Sequence, residues 1–283
     1  MKPNQITLRV WGDFACFTRP EMKVERVSYS VMTPSAARGV LEAVFWEPQM
    51  FYLIDSIRVV KRGRWVSFRR NEVTKVISLD SVKTWMKSPE KTTPIQAGGG
   101  ADDGTQRNML ALRDVEYLIT AEVRVTPLAN RPEDKLEKYL DEIERRARAG
   151  KCFHRPGLGM REFAADFEWE SDANAAHARR CTELGRIAEP FNEDLGLILY
   201  DVFDHRDRAE GFRWLPDAEI SNSQSQLSAV TSRRSKKHIA EAPRWSRPPI
   251  KPTPAFFHAK VEASRMECHP ERVRILTSTN GGN

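Results

Sequence analysis

The sequence predicts an α+β fold, because strand and helix patterns alternate in the order β-α-β, an insertion over 62–110, and again β-α-β. That order is the split βαβ, or ferredoxin-like, arrangement, in which two helices cover one face of a four-stranded sheet. We expect this domain to occupy residues 1–185. The pattern changes after it, and residues 186–283 are expected to form a small antiparallel β domain.

The first β-α-β unit has the clearest local signals. Apolar residues alternate over 6–10, which predicts a short strand. A helix is predicted over 33–46, because Thr33 can cap it, Pro34 is tolerated in its first turn and apolar residues follow at helical spacing. The stretch YLIDSIRVVK, 52–61, is rich in β-branched residues and predicts the next strand.

The insertion and the second unit follow. RWVSFRRNEVTKVISL can form a hairpin, and the glycine-rich residues 94–104 indicate a flexible loop. Alternation over 115–125 predicts a strand. Pro132 then opens a helix that Gly150 stops, and a second alternation over 162–169 predicts the last strand of the unit.

The C-terminal part carries weaker signals. LGLILYDVFD (195–204) and GFRWLPDAEI (211–220) predict a hairpin around DHRDRAE. Residues 221–254 are rich in Ser, Arg, Lys and Pro and are expected to be mobile, whereas 256–266 can return as a strand.

Composition excludes several classes of protein. The 283 residues contain no apolar run near the ~20 residues of a membrane span, and the start has no apolar secretory signal. The four cysteines lie far apart without a CxxC pair, which indicates reduced thiols in a cytoplasmic protein.

Positive charge is concentrated in two places. The net charge is +6, and residues 220–283 hold eleven Lys or Arg against four Asp or Glu. A second concentration carries six cations interleaved with Trp65 and Phe68: Arg58, Lys61, Arg62, Arg64, Arg69 and Arg70. Cations beside rings are typical of single-stranded nucleic-acid binding, although a solvated hairpin with a basic face has the same composition.

An ordered set of segments resembles a known family. They are LRVWGDFACFTRPEMKVERVSYSVMTPSAARGVLEAVFWEP, IDSIRVVK, AGGG, LRDVEYLI, CFHRPGLGMREFAADF and LGLILYDVF. In this order they resemble CRISPR-associated RAMP proteins of the fifth Cas family, in the subtype I-C (Dvulg) branch. The resemblance covers most of residues 5–220, is strong over 27–60 and 151–167, and fades over 221–254.

The resemblance implies a ferredoxin-like RAMP domain followed by a small antiparallel β domain. It also implies a metal-independent endoribonuclease without a cofactor, which cuts precursor CRISPR RNA at the 3′ base of the repeat hairpin. Such proteins hold the 5′ handle within a surveillance complex of Cas subunits. Attack by the 2′-OH would leave a 2′,3′-cyclic phosphate and a 5′-OH, and DNA lacks that nucleophile. A non-catalytic handle-binding subunit and a metal-dependent nuclease acting on DNA are the alternatives.

The implied catalytic residues depart from the family pattern. Processing members carry a Tyr before the Trp that ends the first helix, and a Lys-His pair on the second helix; here those positions are Phe45 and Lys138–Tyr139. Phe45 cannot move a proton. Tyr139 is a poor base, with a reference pKa of about 10, unless a cation such as Lys138 lowers it. His154 in the glycine-rich loop is the substitute proton carrier.

Each of these residues also has a structural interpretation. Tyr139 can belong to the helix core, Lys138 can be solvated, and the ring of His154 can bond to backbone. Tyr29 and Tyr52 are further candidates for the proton carrier.

The remaining candidates concern RNA and metal contacts. In the loop FHRPGLG, Arg155 beside Gly157 and Gly159 is expected to receive a phosphate, because glycine lets backbone approach closely. Phe45 and Trp46 are expected to form an apolar rim for RNA or, alternatively, to plug the core. No metal site is predicted. The acidic group Asp201, Asp204 and Asp207 can hold a cation weakly or form a charged hairpin tip.

Overall fold

A computed structural model describes residues 4–96, 98, 100–185, 189–209 and 253–277. The helices are α1 (Pro34–Val44), α2 (Leu79–Lys87), α3 (Leu136–Arg148), α4 (Ala173–Leu184) and α5 (His205–Ala209). The strands are β1 (Gln5–Ala15), β2 (Arg26–Val27), β3 (Met50–Lys61), β4 (Arg64–Val73), β5 (Gly104–Val125), β6 (Asp166–Glu170), β7 (Glu193–Asp201), β8 (Ala255–Glu262), β9 (Arg265–Glu267) and β10 (Ile275–Thr277). Two 3₁₀ turns lie at Pro20–Met22 and Pro89–Lys91.

The centre of the molecule is an antiparallel sheet with the strand order β6-β1-β5-β3. Helices α1 and α3 contact each other and share one apolar core with β1, β3 and β5. Helix α4 packs on the opposite face, where Ala176 meets Val60 and Leu118. The prediction of a mixed fold built on an antiparallel sheet is confirmed. Helix α4 was not predicted; its local signal is Asp172, whose side chain caps the helix at Ala175.

Helix α1 begins as predicted and ends two residues early. The Thr33 hydroxyl accepts a hydrogen bond from the Ala36 amide at 3.3 Å, and Pro34 occupies the first turn. Phe45 already has extended backbone and closes the helix through its amide, which donates to the Leu41 carbonyl at 3.0 Å. Phe45 and Trp46 therefore follow the helix instead of belonging to it.

The insertion forms a two-stranded ribbon with β5. The sequence predicts that RWVSFRRNEVTKVISL folds back on itself as a hairpin. Strand β4, which covers the first part of this stretch, instead pairs with residues 104–113 of β5. Phe68 anchors one face of the ribbon, with its ring centroid 5.0 Å from that of Phe14 and 6.0 Å from that of Phe163. Residues 97 and 99 of the predicted loop lie outside the described residues.

The second unit contains a shorter helix and a shorter strand than predicted. Helix α3 begins at Leu136, four residues after Pro132, and Gly150 follows its end with a φ of 63°. Strand β6 begins at Asp166, because the residues before it close the glycine-rich loop through a bridge between Gly157 and Ala164.

The C-terminal strands join the same sheet. Strand β7 pairs with β8, and β9 pairs with β3 at Ser56–Arg58. The predicted hairpin tip is wrong, because His205–Ala209 form a helix; its second strand, 211–220, lies outside the described residues. The predicted strand 256–266 is instead two strands that turn at Ala263 and Ser264. The domain division at residue 185 stays a prediction, and residues 221–252 are likewise not described.

All four cysteines are free, and Cys16 and Cys268 are buried. Within the described ranges, no helix has the length and apolar character that crossing a membrane requires.

Candidate functional site

The C-terminal end of α1 is where three segments meet. The amides of Phe153 and His154 donate to the Ala43 carbonyl at 2.9 and 3.2 Å, which fixes the glycine-rich loop against the helix end. From the other side, the Lys138 ammonium on α3 lies 3.9 Å from the Glu47 carboxylate. The candidates Lys138 and His154, which are well separated in sequence, thus both lie on segments that contact this helix end.

Lys138 is a half-exposed cation with two acidic neighbours. Its side chain is 43% exposed, and Nζ lies 3.6 Å from Asp134 Oδ1 in addition to Glu47. It also lies 5.0 Å from the centre of the Tyr139 ring. These contacts orient the ammonium and leave it accessible to solvent.

Tyr139 does not have the environment of a base. The side chain is fully buried, and its hydroxyl donates to Asp134 Oδ1 at 3.0 Å. Burial and the Asp134 carboxylate raise the pKa of Tyr139 above its usual value. The nearby Lys138 ammonium therefore does not lower the pKa of Tyr139 to the range of a base. The geometry corrects the catalytic interpretation: Tyr139 belongs to the core and holds Asp134 next to Lys138.

His154 is an exposed imidazole on a fixed backbone. Its ring meets the Phe153 ring edge-on, with centroids 5.8 Å apart. Within the described part of the chain the ring forms no hydrogen bond, so the alternative of a ring bonded to backbone does not hold. The His154 ring is therefore accessible to a ligand.

The two rings after α1 differ in exposure. Phe45 is buried, with the Arg146 guanidinium 5.1 Å from its ring centre, whereas Trp46 is 39% exposed. The predicted two-ring rim is therefore reduced to Trp46. The Tyr52 hydroxyl, a further candidate proton carrier, is buried and donates a hydrogen bond to the Phe45 carbonyl at 2.8 Å. The Tyr29 hydroxyl accepts from the Leu199 amide at 3.2 Å.

The glycines of the loop allow close packing within the protein. Gly159 has a φ of +81°, and a Cβ there would collide with the Cys16 carbonyl oxygen. A Cβ at Gly157 would collide with the Met160 carbonyl oxygen. Both glycines let the loop pack against the protein's own backbone, and both also border the cleft described next, so their predicted contact with a phosphate stays a prediction.

A cleft of about 840 Å³ opens between this loop and the first half of α1. Phe153, His154, Arg155 and Arg161 line one wall, and Ser35 and Gly39 line the other. Asp166 holds the Arg155 guanidinium at 2.7 Å while 64% of the Arg155 side chain stays exposed. The cleft therefore combines aromatic rings with exposed positive charge.

The basic stretch 58–70 separates into paired and exposed cations. Four members have partners within the chain: Arg58 with Asn174, Lys61 with Asp114, Arg62 with Glu193, and Arg70 with Glu72. Burial and Arg265 lower the pKa of Arg58. The other three predicted contacts, Arg64, Trp65 and Arg69, are exposed on β4. Within the described part of this stretch, only Arg64 and Arg69 are free to track a phosphate backbone without first losing a partner.

Sequence reasoning missed the buried ion pairs beneath the site. Arg38 of α1 donates to Asp201 at 2.7 and 2.9 Å, and Arg208 of α5 contacts Asp201 and Glu42. Burial works against ionisation of Asp201, but Arg38 holds its pKa below the usual value. Asp201 is thus an arginine partner and not part of a cation site, and the described residues contain no cluster able to hold a metal ion.

Comparison with known proteins identifies the family. A protein-family model described as CRISPR-associated protein (Cas_Cas5), of the Cas5d type, matches residues 5–260 of this chain. A curated relative from Mannheimia succiniciproducens, named CRISPR pre-crRNA endoribonuclease Cas5d, is 42% identical over 223 residues, covering 77% of this chain and 92% of the relative. A relative of the same name from Thermus thermophilus is 42% identical over 199 residues, covering 70% of this chain and 73% of the relative.

Solved structures agree on the fold. A structure described as a CRISPR-associated protein has a TM-score of 0.52 and 16% identity, with 96% of each chain covered. The functionally uncharacterized protein SMU1763c from Streptococcus mutans has a TM-score of 0.50 and 18% identity, with 96% of this chain and 97% of that chain covered. With the match over residues 5–260 and two relatives at 42% identity, the chain belongs to the Cas5d family of CRISPR-associated proteins.

Proposed function

We propose that this protein binds precursor CRISPR RNA, cleaves it at the repeat hairpin by metal-independent 2′-OH attack and keeps the 5′ handle. The observation that carries the proposal is that the loop with the exposed His154 and the helix with the half-exposed Lys138 both contact the segment at the C-terminal end of α1. Two relatives at 42% identity carry the pre-crRNA endoribonuclease activity in their names.

The chemistry needs a proton carrier and a fixed cation. His154 removes the proton of the 2′-OH or returns one to the 5′-oxygen that leaves. The Lys138 ammonium stabilises the charge that develops on the phosphorane, and the carboxylates of Asp134 and Glu47 keep it oriented. Arg155, next to His154, supplies a second cation for the phosphate.

The architecture fits this role. We propose that β1-α1-β3 and β5-α3-β6 form a ferredoxin-like RAMP core, because their strand order and helix placement are those of a split βαβ fold. The protein would act in the cytoplasm, within a type I-C surveillance complex and beside other Cas subunits.

A non-catalytic handle-binding subunit is the second candidate. It is favoured by the buried Phe45 at the position of the family's tyrosine, and by the Tyr139 hydroxyl that Asp134 already occupies. Both candidates predict the same fold and the same basic surface, and they differ in whether the bound strand is cut.

The decisive experiment is an end-group analysis on repeat RNA in EDTA. The endoribonuclease predicts products with a 2′,3′-cyclic phosphate and a 5′-OH, and no cutting when the nucleotide before the break is 2′-deoxy. Tight binding without products would support the handle-binding subunit. Cleavage that EDTA abolishes, on RNA or DNA, would instead indicate a metal-dependent nuclease.

A further inference from the structure

Phe153 is an apolar ring placed in solvent by a fixed backbone. The residue is 82% exposed, yet its amide donates to the Ala43 carbonyl at 2.9 Å and lies 3.3 Å from the Val44 carbonyl. The next turn of the loop is pinned as well, because the Cys16 amide donates to the Leu158 carbonyl at 3.0 Å. A large apolar ring exposed to water has an unfavourable hydration cost that a ligand can remove, and the fixed backbone keeps the ring on this side of the loop.

The surroundings of Phe153 define the class of that ligand. Arg155 and Arg161 line the same cleft wall, and both are exposed. The His154 and Phe153 rings meet in a T-shaped contact, which can cover at most one face of the Phe153 ring and leaves the other face free of His154. A flat apolar face flanked by guanidinium groups complements a nucleobase attached to a phosphate.

The opposite wall leaves room for a base. Gly39 lies on the exposed side of α1, and no atom lies within 4 Å of the position that a Cβ would occupy there. The cleft volume of about 840 Å³ also falls within the range of about 300–1,000 Å³ that small organic ligands occupy.

We propose that Phe153 stacks on an unpaired nucleobase of the repeat RNA and that the cleft between Phe153 and Gly39 receives this base. The proposal rests on the function proposed above and adds a binding residue and a subsite to it. Unpaired bases are the parts of RNA that proteins stack on aromatic side chains, so the base lies outside the double-stranded stem.

The test uses repeat RNA that carries 2-aminopurine at one unpaired position at a time. Stacking quenches 2-aminopurine emission, so the wild-type protein is expected to quench one position strongly. Phe153→Ala is expected to abolish that quenching and to weaken binding by about 5- to 100-fold, the usual contribution of one stacked base. Phe153→Trp is expected to retain both the quenching and the affinity.

A second variant tests the cleft from its other wall. Gly39→Leu places a side chain in the open space and is expected to weaken binding, whereas Gly39→Ala, which adds one methyl group, is expected to bind as the parent does. Leu276→Ala on β10, 39% exposed, is the apolar control away from the cleft and is expected to change nothing. Thermal unfolding of each variant checks that the fold is retained.

The outcomes separate the two proposals. Phe153→Ala with wild-type affinity and an unchanged 2-aminopurine profile, on RNA that the wild type binds, would overturn the stacking role and leave the proposed function standing. A wild-type protein that ignores the repeat hairpin at moderate salt would overturn the proposed function and the stacking role with it.

Discussion

In the proposed mechanism, His154 transfers protons and Lys138 stabilises negative charge. The imidazole is exposed at its ring but fixed at its backbone, whereas the ammonium is oriented by two carboxylates. A proton carrier must reach a reacting atom, and an electrostatic partner must stay in one place. The two environments match these two requirements.

Substitution of His154 tests the proton carrier. His154→Ala is expected to slow cleavage of repeat RNA by about 10²- to 10⁴-fold, the usual contribution of a general acid or base, with little change in RNA affinity. Single-turnover cleavage and filter binding measure the two quantities. His258→Ala, another exposed histidine, is the control and is expected to cut as the parent does. Equal rates for His154→Ala and the parent would remove His154 from the mechanism.

Substitution of Lys138 tests the fixed cation. Lys138→Ala is expected to slow cleavage more than it weakens binding, because the ammonium acts on charge that develops in the transition state. Lys138→Arg keeps the charge and is expected to recover part of the rate. Lys83→Ala, an exposed lysine on α2, is the matched control. Cleavage by Lys138→Ala at the parental rate would show that the active-site placement is wrong.

At the scale of elements, the ribbon of β4 and β5 presents an exposed basic edge next to the loop that carries His154. Its inner face packs Val66 and Phe68 against Cys16 and Met160, and Met160 also lines the cleft. Three other residues of β4 are exposed: Arg64, Trp65 and Arg69. The ribbon and the cleft are therefore joined through Met160, which packs under the ribbon and lines the cleft.

The ribbon predicts a specific salt dependence. Arg64→Ala combined with Arg69→Ala is expected to weaken RNA binding and to reduce the slope of log affinity against log salt by about 1.4, since each lost phosphate contact removes about 0.7 for a single strand. Binding titrations at several salt concentrations measure this slope. Lys260→Ala with Arg274→Ala, two exposed cations on the C-terminal part, removes the same charge as a control. Equal slopes for the two double variants would contradict a role for the ribbon.

At the scale of the whole molecule, ionic contacts fasten the C-terminal strands to the central sheet. Asp55 of β3 receives hydrogen bonds from Arg265 and Arg272, and Glu122 of β5 lies 3.2 Å from His269 Nε2. Each carboxylate is almost fully buried. The position of these strands thus depends on the ionic contacts of these two carboxylates.

The ionisation of Glu122 makes the free energy of unfolding depend on pH in acid. Burial opposes ionisation, but hydrogen bonds from Arg124 and Asn4 outweigh it and lower the pKa of Glu122 to about 2. Its native pKa lies below the unfolded value of about 4.3, so its stabilising effect is complete above that value and is lost as the pH falls toward 2. Glu122→Gln is therefore expected to reduce the free energy of unfolding by about 2 kcal/mol at pH 7 and to flatten its decline in acid.

Urea unfolding between pH 7 and pH 3 measures both effects. Glu90→Gln, an exposed glutamate in the insertion, is the control and is expected to follow the parent. A Glu122→Gln profile that falls with pH as steeply as the parent's would place the acid sensitivity in other carboxylates.

The sequence by itself determined the alternation of strands and helices, the family and the location of positive charge, because these follow from local periodicity, ordered motifs and composition. Thr33 and Pro34 indicate a helix start, and the β-branched run of β3 indicates a strand, from local sequence alone. No tertiary contact was needed to predict these two elements. The candidate His154 was also found this way, since its loop has a local glycine signal.

Only the tertiary structure decided which candidates are free to act. Phe45 and Tyr139 are buried, and Asp201 is held by arginines from α1 and α5. Gly159 packs so closely against the Cys16 carbonyl that a side chain would not fit there. Arg38 lies 163 positions from Asp201, and no local pattern carries information over such a separation. The same long-range packing exposes Phe153, a residue whose sequence neighbours gave no reason to single it out.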